Sequence, residues 1–178
     1  LDEIEDASLY YMQQDKRIEL DIQASMLADR GSRRFLYNSL RLYGPVGDDL
    51  LRAAEELLEQ VPPAPPVRSG NDGAIVDARG FRERALEEFA YYRSRHPAFA
   101  PAAEVRSDVS GLIVSYGNLL IGEQVRLDAE RVEALIQHEV GTHVVTYVNG
   151  AAQPLRMLAS GCAEYDEQQE GLGILAEY

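Results

Sequence analysis

One cysteine, Cys162, is all the thiol chemistry this chain has. A lone thiol excludes an internal disulfide and any zinc ribbon, and it sets a reducing, cytoplasmic compartment as the default. Long apolar runs are equally lacking. Nothing approaches the roughly 20 consecutive residues that cross a bilayer, and no secretory signal is visible, so no membrane partner is expected. Positive charge is scarce too: 17 Lys and Arg stand against 30 Asp and Glu, a formal net charge of −13. Such a surface repels nucleic acid and anionic lipid alike. It also weighs against strongly acidic peptides as partners unless a local basic pocket exists, and its plainer reading is solubility. The first residue is Leu1 rather than methionine, as expected of a trimmed or processed piece.

What remains is enough for one domain of ordinary size with a real core: 178 residues, 46% of them hydrophobic. Residues 1–60 read as helical. Ile4, Leu9, Met12, Leu20 and Met26 recur through a helix from Leu1 to Ala28 that Gly31 ends. Phe35, Leu36, Leu40 and Leu42 suggest a second helix that stops at Gly44-Pro45, and Tyr10, Tyr11 and Tyr37 are read as core before pocket. Asp48 or Asp49 caps a third, whose Leu50, Leu51, Ala54, Leu57 and Leu58 form an apolar stripe. The proline pairs Pro62-Pro63 and Pro65-Pro66 forbid helix, so residues 61–76 are an expected extended linker and 77–178 the catalytic region.

In that second region Asp77 caps a helix from Ala78 to Arg95, with Phe81, Ala85, Leu86, Phe89 and Tyr92 inward. His96, alone before Pro97, is a helix-end group. A polar–apolar alternation runs from Glu104 to Asp108. Ser110–Ser115 and Leu119–Ile121 flank a Tyr116-Gly117-Asn118 turn, which predicts a hairpin whose edge could take a substrate backbone by strand addition. Asp128 then opens a helix through Val132, Leu135, Ile136, Val144 and Val145, with its stop at Asn149-Gly150. A short helix from Pro154 to Leu158 ends near Gly161.

The chemistry sits in Gln137-His138-Glu139-Val140-Gly141-Thr142-His143, which holds two of the chain's three histidines. Neutral imidazole is a favoured zinc ligand, and a glutamate beside the ion is the usual base for hydrolysis. The familiar motif spaces its histidines four apart; five leaves them about 140° out of phase on a regular α-helix. A π-bulge cures this, so a distortion is predicted between Val140 and His143, with Gly141 absorbing unusual dihedrals. The competing reading is an ordinary buried helix with two unrelated histidines. For a third ligand, Glu164, Asp166, Glu167, Glu170 and Glu177 are all available. Asp166 and Gln169 resemble a capping box, which puts Glu170 in the first turn of a helix through Leu175, where the dipole favours a carboxylate. Gly171 and Gly173 would let that helix come close, so Glu170 is the expected third ligand.

Three ordered motifs carry a resemblance: His138-Glu139-Val140-Gly141-Thr142-His143, Asn149-Gly150-Ala151-Ala152-Gln153-Pro154-Leu155 and Gln169-Glu170-Gly171-Leu172-Gly173. Together they resemble the microtubule-associated tyrosine carboxypeptidases and their bacterial relatives, the flavohaemoglobin-expression-modulating QEGLA-motif proteins. The resemblance is dense from Val109 to Tyr178, thinner from Leu42 to Ala100, and closer to the bacterial branch. It implies an α+β, mostly helical, zincin-like metallopeptidase with a small hairpin before the metal helix. His138, His143 and Glu170 would hold zinc, and Glu139 would be the catalytic base. Gly173 stands where the family usually has alanine, a departure expected to cost helix propensity without touching a ligand. The family's chains are longer at both ends.

The expected function is therefore a zinc-dependent, carboxypeptidase-like hydrolase acting on a peptide or protein C-terminus. Arg156 is the candidate cation for the terminal carboxylate, with a salt bridge to Glu164 or Glu167 as its alternative; Tyr147 and Tyr165 are candidate donors to the oxyanion, or packing. The rival class is a non-catalytic, metal-stabilised regulatory or binding module, or an inactive fragment.

Overall fold

The computed structural model of the chain describes residues 1, 3–61 and 74–178 and falls into two compact units, Leu1–Asn71 and Asp72–Tyr178. The proline pairs of the expected linker lie outside the described residues. The fold is α+β and mostly helical, with two small sheets among the described residues.

The first unit holds helices α1 (Ala7–Ala28), α2 (Arg33–Tyr43) and α3 (Asp48–Gln60). α1 starts later than expected because Asp6 takes the cap, its carboxylate accepting the Leu9 N–H at 2.9 Å. Ser32 caps α2 in the same way, and Gly44 ends it at φ 73°. α3 begins after Gly47, which leaves Asp48 and Asp49 in its first turn and not at its cap. Within this unit Asn38 is buried and donates to Asp29 at 3.0 Å. The apolar stripes are less buried than their periodicity predicts: Leu36, Leu50, Leu57 and Leu58 are all at least 60% exposed. Tyr11 and Tyr37 are exposed as well and belong to no core.

In the second unit β1 (Ile75–Asp77) runs straight into α4 (Ala78–Arg95), where the Asp77 carboxylate accepts from Arg79 and Gly80. β1 pairs antiparallel with β5 (Arg126–Asp128). The three-stranded sheet has the order β2-β4-β3, from β2 (Ala103–Arg106), β3 (Leu112–Ser115) and β4 (Asn118–Gly122). β3 and β4 form the expected hairpin. Tyr116 and Gly117 both take positive φ, 48° and 76°, as a tight two-residue hairpin turn requires. β2 joins β4 in parallel and so lies at the opposite edge from β3.

β5 leads directly into α5 (Ala129–Ile136), a π-helical turn (Gln137–Val144) and α6 (Val145–Ala151). Asp128, expected as a side-chain cap, makes no cap bond and instead closes the strand. Phe81, Ala85 and Phe89 of α4, Leu119 and Ile121 of β4, and Ile136, Val140 and Val144 of the histidine helix are fully buried together. Leu86, expected inward, is 36% exposed on the flank of α4. α6 continues through Asn149-Gly150 instead of stopping there: Gly150 is buried, and a Cβ on it would fall on the Leu158 carbonyl. Its small size serves close approach, not a left-handed turn. The next helix, α7 (Met157–Ser160), starts three residues beyond Pro154 and ends at Gly161, φ 82°. α8 (Tyr165–Ala176) follows and packs mainly on the π-turn.

Candidate metal centre

The π-turn is where the awkward histidine spacing is resolved. Its i→i+5 bonding adds one residue to a turn, so residues five apart stack as residues four apart do on an α-helix. Val145 N–H reaches back to the Val140 carbonyl, and the Thr142 hydroxyl donates to the Gln137 carbonyl at 3.3 Å. The rings of His138 and His143 come to 4.9 Å between centroids. The distortion spans the whole of Gln137–Val144, wider than the predicted Val140–His143. Gly141 does not take positive φ; a Cβ there would meet the Gln137 side chain at 2.9 Å, so it makes room and does not relieve a strained dihedral.

Opposite stands α8. It begins at Tyr165, behind a left-handed Glu164 (φ 61°), which moves Asp166 from the expected cap into the first turn and Glu170 into the second. The dipole argument for Glu170 therefore lapses, but its position does not. Glu170 Oε2 lies 3.8 Å from His138 Nε2, and Oε1 lies 3.7 Å from His143 Nε2. Gly173, one turn on, is the close approach: a Cβ there would sit 2.8 Å from Cε1 and Nε2 of His138. Replacing it thus touches a candidate ligand, contrary to the expectation that it would not. Gly171 has open space around its Cα and plays no such part.

These three residues fit zinc by donor chemistry and by distance. One ligand atom from each of His138, His143 and Glu170 falls within 4.8 Å of the others. Donors about 2.0–2.1 Å from a tetrahedral ion stand about 3.4 Å apart, so the two histidine–Glu170 pairs, at 3.7 and 3.8 Å through different carboxylate oxygens, need a slight contraction and the three-atom set as a whole, within 4.8 Å, a larger one. Burial lowers the pKa of His143, with His138 adding to the effect, while Glu170 and a hydrogen bond to Gln169 oppose it. Neutral imidazole is the form that ligates. Glu139 is also largely withdrawn from water; burial pushes its carboxyl up, as do Glu170 and Glu177, against the pull of His138.

His138, Glu139, His143 and Glu170 open onto one cleft of about 830 Å³, whose other walls include strand β3, Tyr116, Tyr147, Cys162 and Tyr165. Tyr147 packs its ring on Gly117 and Tyr165 packs on Gly161, and both also face the cleft. Arg156 is not brought in: it is exposed ahead of α7, and no lysine or arginine is among the described residues lining the cleft. His96 caps the end of α4 and borders a separate, smaller cavity.

A family model of the microtubule-associated tyrosine carboxypeptidases matches residues 1–178, the whole chain. The chain belongs to that family. Comparison with curated proteins and with solved structures gives no match. Membership in this family suggests a carboxypeptidase-like activity, and so a peptide or protein substrate. No helix among the described residues is long and apolar enough to cross a membrane.

Sequence reasoning missed one feature of this family member's site. Glu177, one of five available carboxylates, accepts from or shares a proton with His138 Nδ1 at 2.9 Å, and its second oxygen meets Arg131 at 3.0 Å. The signal was in the spacing: Glu177 follows Glu170 by seven residues and Arg131 precedes His138 by seven, each pair on one helix face. It becomes readable only once the two helices are known to face each other.

Proposed function

We propose that this chain is a zinc-dependent metallopeptidase of zincin-like build that cleaves residues from the C-terminus of a peptide or protein in the cytoplasm. His138, His143 and Glu170 hold the ion, Glu139 is the general base, and the second unit is the catalytic region. The observation that carries this reading is the convergence of the three donor side chains, with Glu139 adjacent, on one open cleft in a carboxypeptidase family member.

When bound, zinc polarises a water and the scissile carbonyl and steadies the negative charge that develops. The remaining work falls to the protein. The outer edge of β3 carries no paired strand among the described residues and lines the cleft, so an extended substrate can add to it by backbone hydrogen bonds. Glu139 takes the proton of the attacking water and returns it to the departing amine. Tyr147 and Tyr165, both in the cleft wall, are candidate donors to the carbonyl oxygen. Arg156, outside that wall, is not assigned the terminal carboxylate.

The test is Glu139→Gln, read by metal analysis and by mass spectrometry of a peptide library with free C-termini. Zinc should stay near one per chain while turnover falls by about 10²–10⁴. Undiminished turnover removes Glu139 as the base, and wild-type protein with no bound metal removes the hydrolase.

A further inference from the structure

We infer that Glu177 is a positioning residue that fixes the tautomer and ring orientation of His138. The inference rests on the zinc reading for its function but on protein contacts for its geometry. A histidine can offer Nε2 to an ion only if its proton is on Nδ1, and the partner of Nδ1 decides where that proton sits. The Glu177 carboxylate lies 2.9 Å from His138 Nδ1, an acceptor that holds the proton there and leaves the Nε2 lone pair facing Glu170 and the cleft. Glu177 is not itself a third ligand, because it addresses the ring nitrogen opposite to the one Glu170 approaches.

The carboxylate is held in turn. Arg131 donates to its other oxygen at 3.0 Å, and only 19% of the Glu177 side chain is exposed, against 63% for Glu170. Glu170, Gly173 and Glu177 are spaced i, i+3, i+7 and form one stripe on the α8 side. The ring of His138 seats on that stripe: Glu170 near Nε2, the bare Cα of Gly173 beneath, Glu177 on Nδ1. One helix thus supplies both a ligand and the restraint on another ligand, and Arg131, from the histidine helix itself, closes the loop.

Partners of this kind are worth about 10- to 100-fold in metal affinity. The experiment has two arms. Long-range ¹H–¹⁵N spectra of the metal-free wild type and of Glu177→Ala report the His138 tautomer, and competition with a chromophoric chelator reports zinc affinity. The wild type should show the Nδ1–H form, Glu177→Ala should lose that preference and bind zinc 10- to 100-fold more weakly, and Glu177→Gln, which keeps an acceptor, should recover most of the loss. Arg131→Gln should weaken binding several-fold. An Nε2–H tautomer in the folded wild type overturns the inference, whether or not Glu177→Ala folds. So does a folded Glu177→Ala with wild-type tautomer and affinity. If the wild type binds no zinc but shows the Nδ1–H form and Glu177→Ala loses it, the positioning contact stands and the zinc reading falls.

Discussion

Deleting Gly141 should leave a folded protein that still binds metal. On a regular α-helix residues five apart sit about 140° out of phase, and residues four apart about 40°. The π-turn exists to absorb that difference, so removing one residue from it restores an ordinary turn with the two histidines four apart. The core phase supports the same outcome. Ile136 and Val144 are both fully buried although eight residues apart, a separation of about 80° on an α-helix; after the deletion they are seven apart, within about 20°. The energetic changes oppose each other. Losing a helical glycine contributes about 1 kcal/mol, and losing the Thr142–Gln137 hydrogen bond costs about 0.5–1.5 kcal/mol. Thermal melts should therefore stay within a few degrees of wild type, and chelator competition should give a zinc affinity within about tenfold, or ~1.4 kcal/mol. Inserting an alanine after Val140 should abolish binding. A deletion variant that melts normally but holds no zinc would refute the argument, since it would mean that the centre needs a geometry only the widened turn provides.

Gly150→Ala places a methyl on the Leu158 carbonyl and should destabilise by about 1–3 kcal/mol in denaturant titrations, because α6 and α7 must separate. Gly173→Ala sets about 1 kcal/mol of helix propensity against a methyl 2.8 Å from the His138 ring; the metal-free protein should melt no lower than wild type while zinc affinity falls. Asp77 should make acid stability visible. The Gly80 N–H foremost, then the Arg79 N–H and the charges of Arg126 and Arg79, hold its carboxyl below the ordinary 3.8, against the opposing effect of burial. A folded pKa below the unfolded one stabilises above the unfolded value and loses that stabilisation as pH falls through the folded value. The melting gap between wild type and Asp77→Ala should be widest above about pH 5 and shrink below 3.8. Stripping metal with a chelator should abolish peptide cleavage, and zinc should restore it; cleavage that survives complete removal excludes the metal from the chemistry.

Where a residue's role is set by its immediate neighbours in sequence, it was legible. The Asp77 cap and the helix to Arg95, the β3–β4 hairpin and the distorted histidine helix all follow from local spacing. Three kinds of feature were not. The β1–β5 ladder is only three residues long, too short for periodicity to mark, and the parallel β2–β4 pairing is a choice made across the chain. The start of α8 was misread because Asp166 and Gln169 fit a capping box, whereas a left-handed Glu164 turns the chain two residues earlier. In the first unit, amphipathic spacing correctly predicted α3 but not burial, since Leu50, Leu57 and Leu58 remain largely exposed. Within the candidate site, the dipole argument for Glu170 lapses although its carboxylate stands beside both histidines, and Glu177 needed the face of its partner helix to acquire a meaning.

Among the described residues, α8 leans chiefly on the π-turn. Glu170 and Glu177 ride on this one strut, so any tug that lifts it would part the proposed ligand and the proposed restraint from the histidines in a single movement. An ion gripping both helices would act as a rivet across that seam, adding stability in proportion to its affinity. The same metal that arms the cleft would then also keep its wall in place.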